Sequence, residues 1–380
     1  MKERTILQIT GMISTKYGAM ERYFGFAAHH CREMGLRTVL QYETLPPIKA
    51  YLDDVKRSGS EMVVRAVNKG KVRGVGNIIR LIADVRPAIV HAHFVSDHGR
   101  LAIPIISRVF GVKRVIVMVH NNPEWTRKKL GAAAYNLYDS VLCVSNAVRH
   151  ALTIGGVAER KLHTHYLGLI GPRDPSCALK KEMRNRFCLN DDDVVLGSIA
   201  FDAPFKGLDI LIRSMALLSG DAKKVHLLQV GVDPERSTLP SLARQMGVSD
   251  RIHWAGIVDN GWLFLNAADI YIQPSRFGEG LPLAIMEAMA MKLPVVCTNV
   301  SGNVEAVGSH ENGLIVTPSP QDLAQGIRWM LEHREVWRSF GEAGHEKYLK
   351  LFDGQASIRN MVRNYYIAPI EGPSCDGQGT

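Results

Sequence analysis

Two glutamates, Glu279 and Glu287, are separated by seven residues in Ser275-Arg276-Phe277-Gly278-Glu279-Gly280-Leu281-Pro282-Leu283-Ala284-Ile285-Met286-Glu287. A carboxylate accepts hydrogen bonds from vicinal hydroxyls, and sugars carry hydroxyls in pairs. A lysine, Lys206, precedes Gly207 at a helix entry, where an ammonium is a natural phosphate partner. A histidine, His120, closes the apolar run Arg114–Val119, at the strand end where open α/β sheets bind ligands. Together these residue types suit the handling of a sugar joined to a diphosphate.

The elements that must position them follow from the pattern. Ile270-Tyr271-Ile272 is a short buried strand that Pro274 stops. Gly278, Gly280 and Pro282 give a turn and a helix entry, and helix formers take over from Leu283. A strand, a glycine loop and a helix start in that order form an anion site, because unpaired backbone N–H groups and the positive end of the helix dipole point out together. A strand at residues 5–10, a loop at 11–19 and a helix from Met20 to Met34 repeat the scheme, with Gly18 where a backbone can approach a ligand. The strand–loop–helix rhythm continues to about residue 350.

The segment from Ser275, continued through Lys292-Leu293-Pro294-Val295-Val296 and Glu311-Asn312-Gly313-Leu314-Ile315-Val316, resembles the donor signature of retaining GT-B glycosyltransferases, in particular glycosyltransferase family four. The resemblance implies two doubly wound Rossmann-like domains facing each other across a cleft. The Gly- and Pro-rich stretch Tyr166–Pro175 reads as the linker between a first domain at 1–168 and a second at 169–354, and the polar, glycine-rich residues 370–380 read as a disordered tail. The resemblance implies that a helix at 355–369 crosses back to the first domain. It implies that Glu279 contacts the donor sugar, that Glu287 binds the ribose, and that the amides near Leu283 and Ala284, with Gly280 and Leu281, face the diphosphate. Lys206-Gly207 matches the family's diphosphate-binding pair, and His120 would face the donor sugar and the acceptor. There a neutral imidazole can hydrogen-bond a sugar hydroxyl or share the acceptor's proton. Ser140–Val148 resembles a further family element, a strand running into a helix capped by Ser145 or Asn146. Two positions depart from the pattern. Gly18-Ala19 stands where the family has Gly-Gly, and Phe201 stands where it has a second phosphate-binding Arg, a role Arg276 could take over.

The activity implied is transfer of a sugar from a nucleotide-sugar, UDP-linked, with retention, to an acceptor in envelope glycan, glycolipid or natural-product biosynthesis. No cofactor is expected beyond the donor. No carboxylate can be assigned as a covalent nucleophile, so front-face attack is expected, with the diphosphate taking the acceptor's proton. No metal is expected, since Lys206 and the helix start supply the positive charge, and no Asp-x-Asp metal motif is read. Two rivals stay open: an epimerase or phosphorylase of the same fold, and a non-catalytic nucleotide-sugar-binding homologue, which Phe201 favours.

At 380 residues with 46% hydrophobic content, the chain can hold two domains of ordinary size. No apolar run reaches membrane-spanning length and no signal peptide is read, which points to the cytoplasm. Six scattered cysteines without a C-x-x-C pair fit reduced thiols. Residues 1–170 hold 25 Lys and Arg against 12 Asp and Glu, a balance of +13, and the remainder balances at −4. The basic amphipathic stretch 69–86 reads as a surface helix packed on the sheet by its apolar stripe. With the basic half around it, it also raises peripheral contact with an anionic membrane, and nucleic acid is not expected as a partner. His91 and His93 read as structural strand histidines, His93 being the one to line the cleft.

Overall fold

In the computed structural model, residues 4–15, 17–121, 131, 133–171, 173–218 and 224–368 are described. The expected tail 370–380, Pro369 at the end of the expected last helix and Pro172 of the expected linker lie outside them. The chain divides into two compact units: residues 1–144, 149–170 and 354–380 form the first, and residues 145–148 and 171–353 the second.

The first unit contains a seven-stranded sheet of parallel neighbours. Its strands are β1 (Arg4–Thr10), β2 (Leu36–Tyr42), β3 (Glu61–Val64), β4 (Ile89–His93), β5 (Arg114–Val119), β6 (Ser140–Cys143) and β7 (Leu162–Thr164). Their order is β3-β2-β1-β4-β5-β6-β7. The second unit contains a six-stranded parallel sheet: β8 (Val194–Ile199), β9 (Val225–Val230), β10 (Ile252–Gly256), β11 (Ile270–Gln273), β12 (Val295–Thr298) and β13 (Gly313–Val316), in the order β10-β9-β8-β11-β12-β13. Both are Rossmann-like. Parallel strands need helical crossovers that cover both faces, which is why the strands read as continuous apolar runs. The order reverses between β1 and β4 and between β8 and β11, so each sheet has a switch point where strand ends splay apart.

Several local readings are refined. Residues 45–60 contain the helix Lys49–Arg57, which begins after Pro46-Pro47. Ser145, not Asn146, caps the helix Asn146–Ile154: its hydroxyl accepts the Val148 N–H at 3.2 Å. The last helix runs Gly354–Met361 and widens into a π-helical turn over Val362–Ile367. The wide turn sends Tyr366 into the core of the first unit while Tyr365 packs on Arg114 and His163. The helix Lys71–Val85 buries Ile78, Leu81 and Ile82, so its apolar stripe faces the sheet. An outward apolar stripe lies instead on the helix Asp97–Val109. Its Leu101, Ile105 and Val109 recur every fourth residue and are 47%, 52% and 78% exposed. No helix among the described residues is long and apolar enough to cross a membrane.

Candidate functional site: a lysine–glutamate pair at a switch point and a buried histidine chain

In the second unit, the loops after β8 and β11 meet at the switch point. The loop after β8 makes one 3₁₀ turn, Pro204–Lys206, and enters the helix Leu208–Leu217 through Gly207 at φ 67°. A Cβ at Gly207 would lie 2.0 Å from the Pro274 carbonyl, so only glycine lets this loop close onto the end of β11. The contact is completed by the Arg276 N–H donating to the Phe205 carbonyl at 2.8 Å.

That closure brings Lys206 to Glu279. The ammonium donates to Oε1 at 2.8 Å, with side-chain exposures of only 15% and 7%. The same Oε1 accepts from Ser275 Oγ at 2.7 Å and Gln273 Nε2 at 3.2 Å. Three donors on one oxygen fix the carboxylate's orientation and leave Oε2 without a bond among the described residues. Gln273 and Ser275 did not stand out in the sequence. Their signal is polarity at the carboxyl end of an otherwise apolar buried strand. Phe205 and Phe201 flank Lys206, their ring centroids 5.0 and 5.5 Å from Nζ. Phe201 therefore supplies a cation–π face where the family pattern has a second cation.

The helix Leu283–Ala290 follows with Pro282 at its N-cap and no side-chain cap. The Ile285 N–H turns back to the Pro282 carbonyl at 3.1 Å, and no hydrogen bond ends on the Leu283 and Ala284 amides among the described residues. Gly280 and Leu281 are buried in the loop before it. Glycine is required at Gly302 too, where a Cβ would meet the Gly280 carbonyl at 2.0 Å; this seats the loop after β12 under the Glu279 loop. Glu287 is half-buried, and its charge, with that of Glu279, adds to the burial that raises the Tyr271 phenol's pKa. Arg276 is half-exposed and paired with Asp209 in the first turn of the helix after Gly207. Its guanidinium thus ties two loops together. The run Asp191-Asp192-Asp193 has Asp-x-Asp spacing, but Asp192 pairs with Lys224 and Asp193 accepts the Asn190 N–H at 2.7 Å, at the amino end of β8.

Gly18 and His120 lie in the first unit. Gly18 is the N-cap of the helix Ala19–Glu33, in extended backbone at φ −97°, and its N–H donates to the Glu21 carboxylate at 3.0 Å. The turn is held from within the helix, and this amide is occupied. His120 follows β5. Its Nε2 lies 3.1 Å from His93 Nδ1, and Phe94 stacks on the ring at 3.9 Å between centroids. It lines a cavity of about 160 Å³ with Phe94, Arg100 and Tyr135. Burial pushes its pKa down to about 3, although the residue is only partly buried, so the imidazole is neutral at pH 7. His93 is fully buried against Tyr23 and Phe24 rather than lining a surface.

Comparison with known proteins agrees with this picture. Residues 20–169 match the model described as Glycosyltransferase Family 4, and residues 180–347 match that described as Glycosyl transferases group 1. A Bacillus subtilis (strain 168) protein named as a teichuronic acid biosynthesis glycosyltransferase, TuaC, is 28% identical over 293 residues, covering 74% of this chain and 71% of its own. The GDP-mannose-dependent alpha-(1-6)-phosphatidylinositol monomannoside mannosyltransferase of Mycobacterium tuberculosis is 29% identical over 181 residues, 45% of this chain and 47% of its own. The crystal structure of Anabaena Alr3699/HepE in complex with UDP-glucose superposes with a TM-score of 0.79 at 19% identity, covering 94% of this chain and 98% of that one. With both halves of the chain matched, the protein belongs to the group 1 glycosyltransferases of the GT-B fold.

Proposed function

We propose that the protein is a retaining glycosyltransferase that moves a sugar from a UDP-sugar to an acceptor in cell-envelope glycan or glycolipid assembly. The observation that carries this reading is the Lys206–Glu279 pair beside the uncapped start of the helix Leu283–Ala290. Without donor, each charge satisfies the other. A sugar diphosphate satisfies both separately: the phosphate takes the ammonium and the Leu283 and Ala284 amides, and the sugar hydroxyls take the carboxylate. A structural neighbour bound to UDP-glucose supports UDP, and relatives named for teichuronic acid and phosphatidylinositol mannoside chemistry support an envelope acceptor.

In the reaction, the acceptor's hydroxyl oxygen bonds to the anomeric carbon on the face from which the diphosphate departs. The bond from that carbon to the β-phosphate oxygen breaks, and the acceptor's proton passes to the departing phosphate. The products are the glycoside and UDP. Lys206 and the helix-start amides stabilise the charge that grows on the phosphate, and neutral His120 offers a hydrogen bond to a sugar or acceptor hydroxyl. Calorimetry with bare UDP tests the donor assignment. Glu287→Ala should weaken binding by about 1.5–3 kcal/mol, the worth of a charge-assisted hydrogen bond to the ribose. Tighter binding of GDP would change the base, and unchanged affinity in folded Glu287→Ala would remove Glu287 from the site.

We further propose that the first unit rests on anionic lipid through the helix Asp97–Val109. The stripe Leu101, Ile105 and Val109 ends at half-exposed Phe110, which borders a cavity of about 590 Å³ lined by Arg4, Arg86 and Lys113. Apolar side chains beside clustered cations suit an interfacial helix over phosphate headgroups. Sedimentation with phosphatidylglycerol vesicles should show binding at low salt that weakens at high salt. Ile105→Asp with Val109→Asp should reduce it by about tenfold or more, since each buried apolar side chain contributes roughly 1.5–3 kcal/mol. No sedimentation at low salt would leave a soluble acceptor.

A further inference from the structure

Beneath His120 runs a chain of five buried or partly buried polar side chains drawn from four strand or strand-end positions and the C-terminal helix. His120 Nε2 lies 3.1 Å from His93 Nδ1, and His93 Nε2 lies 2.9 Å from Gln8 Oε1. Gln8 Nε2 donates to the Tyr366 hydroxyl at 2.8 Å, and that hydroxyl lies 2.6 Å from His91 Nδ1. Gln8, His91, His93 and Tyr366 are each at most 1% exposed, so water does not arbitrate among them. The register explains the assembly: Gln8 sits opposite His91 across β1 and β4, and the two histidines share one strand face with ring centroids 4.1 Å apart.

Each bond fixes the next. Gln8 Oε1 can only accept, so His93 carries its proton on Nε2 and presents a lone pair on Nδ1. His120 must then donate from Nε2 and keep its lone pair on Nδ1. On the other side, the Tyr366 oxygen accepts from Gln8, and its hydrogen goes to His91 Nδ1 at 2.6 Å, the nearer and stronger of its two acceptors, Met361 Sδ lying at 4.0 Å; this places the His91 proton on Nε2. That nitrogen is buried without a partner among the described residues, so nothing beyond it pins the chain. Turning the Gln8 amide over would reverse every bond and give all three imidazoles the opposite tautomer. The drawn direction gives each the tautomer that free imidazole side chains prefer. The amide orientation of Gln8 and the proton position on His120 are therefore one variable.

We propose that Gln8 and Tyr366 are positioning residues that hold His120 with its proton on Nε2 and its lone pair on Nδ1, the C-terminal helix thereby setting the proton state of a cavity-lining histidine. The consequence for turnover rests on the glycosyltransferase reading; the tautomer itself does not. Long-range ¹⁵N–¹H correlation spectra of the full chain labelled at histidine test it, with the His120 signals assigned through His120→Asn. At neutral pH, His91, His93 and His120 should all be neutral with the proton on Nε2. Tyr366→Phe removes the hydroxyl that couples the Gln8 amide to His91; the amide is then free to turn over, and His120 should become a mixture of both tautomers. A wild-type spectrum with His120 protonated on Nδ1, or with the three histidines in mixed tautomers, overturns the proposal without any variant. A single unchanged tautomer in folded Tyr366→Phe overturns it as well. Steady-state kinetics separate the two readings: kcat of Tyr366→Phe should fall several-fold with donor KM unchanged. A shifted tautomer with unaltered kcat leaves the positioning chain standing and removes His120 from the reacting atoms.

Discussion

Lys206→Ala should lower kcat by about a hundredfold or more, the loss seen when one preorganised donor to a developing negative charge is removed. KM for the donor should rise less, because the Leu283 and Ala284 amides still meet the diphosphate. The reasoning is differential: a fixed ammonium gains more from a charged leaving group than from an intact donor. Phe201, in place of a second cation, leaves Lys206 with more of that work. The structure adds a stability effect. Lys206 and Glu279 are 15% and 7% exposed, and removing one partner of so buried a pair leaves a carboxylate without its counter-ion. The second unit should lose roughly 3–5 kcal/mol. Lys206→Ala with Glu279→Gln removes the orphan charge, so it should regain much of that stability and none of the activity. Thermal unfolding and steady-state kinetics on the single and double variants check both parts. A raised KM with intact kcat would reduce Lys206 to a binding group.

The strand, glycine loop and helix start around Glu279 were legible because they are local in sequence. Strand, glycine loop, Glu279 and helix start follow one another without a gap, and each leaves a residue-type signal. What was not legible depends on chain segments that meet only in the fold. Lys206 and Glu279 are 73 positions apart, and their pairing rests on Gly207 closing against Pro274. Arg276 was read as a spare phosphate cation because its neighbour in sequence is the glycine loop, whereas its guanidinium meets Asp209 from another loop. The basic stretch 69–86 reads as a helix packed by its apolar stripe, and the helix Lys71–Val85 does bury Ile78, Leu81 and Ile82; the outward stripe that would suit a membrane lies on the next helix. A hydrophobic period shows that a helix has an apolar face and does not show which neighbour covers it. Gln8 and Tyr366 left only faint marks, one amide inside the run Ile6-Leu7-Gln8-Ile9 and one tyrosine of a pair. Their bond spans 358 positions.

The histidines of the first unit should make it acid-labile well above the range where carboxylates protonate. Burial lowers the pKa of His91 and His93 well below the usual imidazole value, that of His120 to about 3 and that of His165 to about 4. The unfolded chain offers these rings water and an ordinary pKa near 6.5. Below that value the unfolded state binds protons that the folded state refuses. Stability is therefore fully present above about pH 6.5 and is lost as the pH falls toward the folded values. From pH 6.5 to 5.5 each ring costs about 1 kcal/mol, so the four together cost roughly 4 kcal/mol, a large share of a domain's typical 5–15 kcal/mol. Hydrogen exchange measured by mass spectrometry, corrected for the intrinsic rate at each pH, reads this locally. Peptides from β4 and β5 should lose protection between pH 7 and pH 5.5 far more than peptides from β8 and β11. His165→Gln should flatten the slope by about one quarter, because one of four rings no longer competes for a proton. Equal protection of β4 at both pH values would mean that these imidazoles take up protons without unfolding, and that the chain beneath His120 is wetter than its burial indicates.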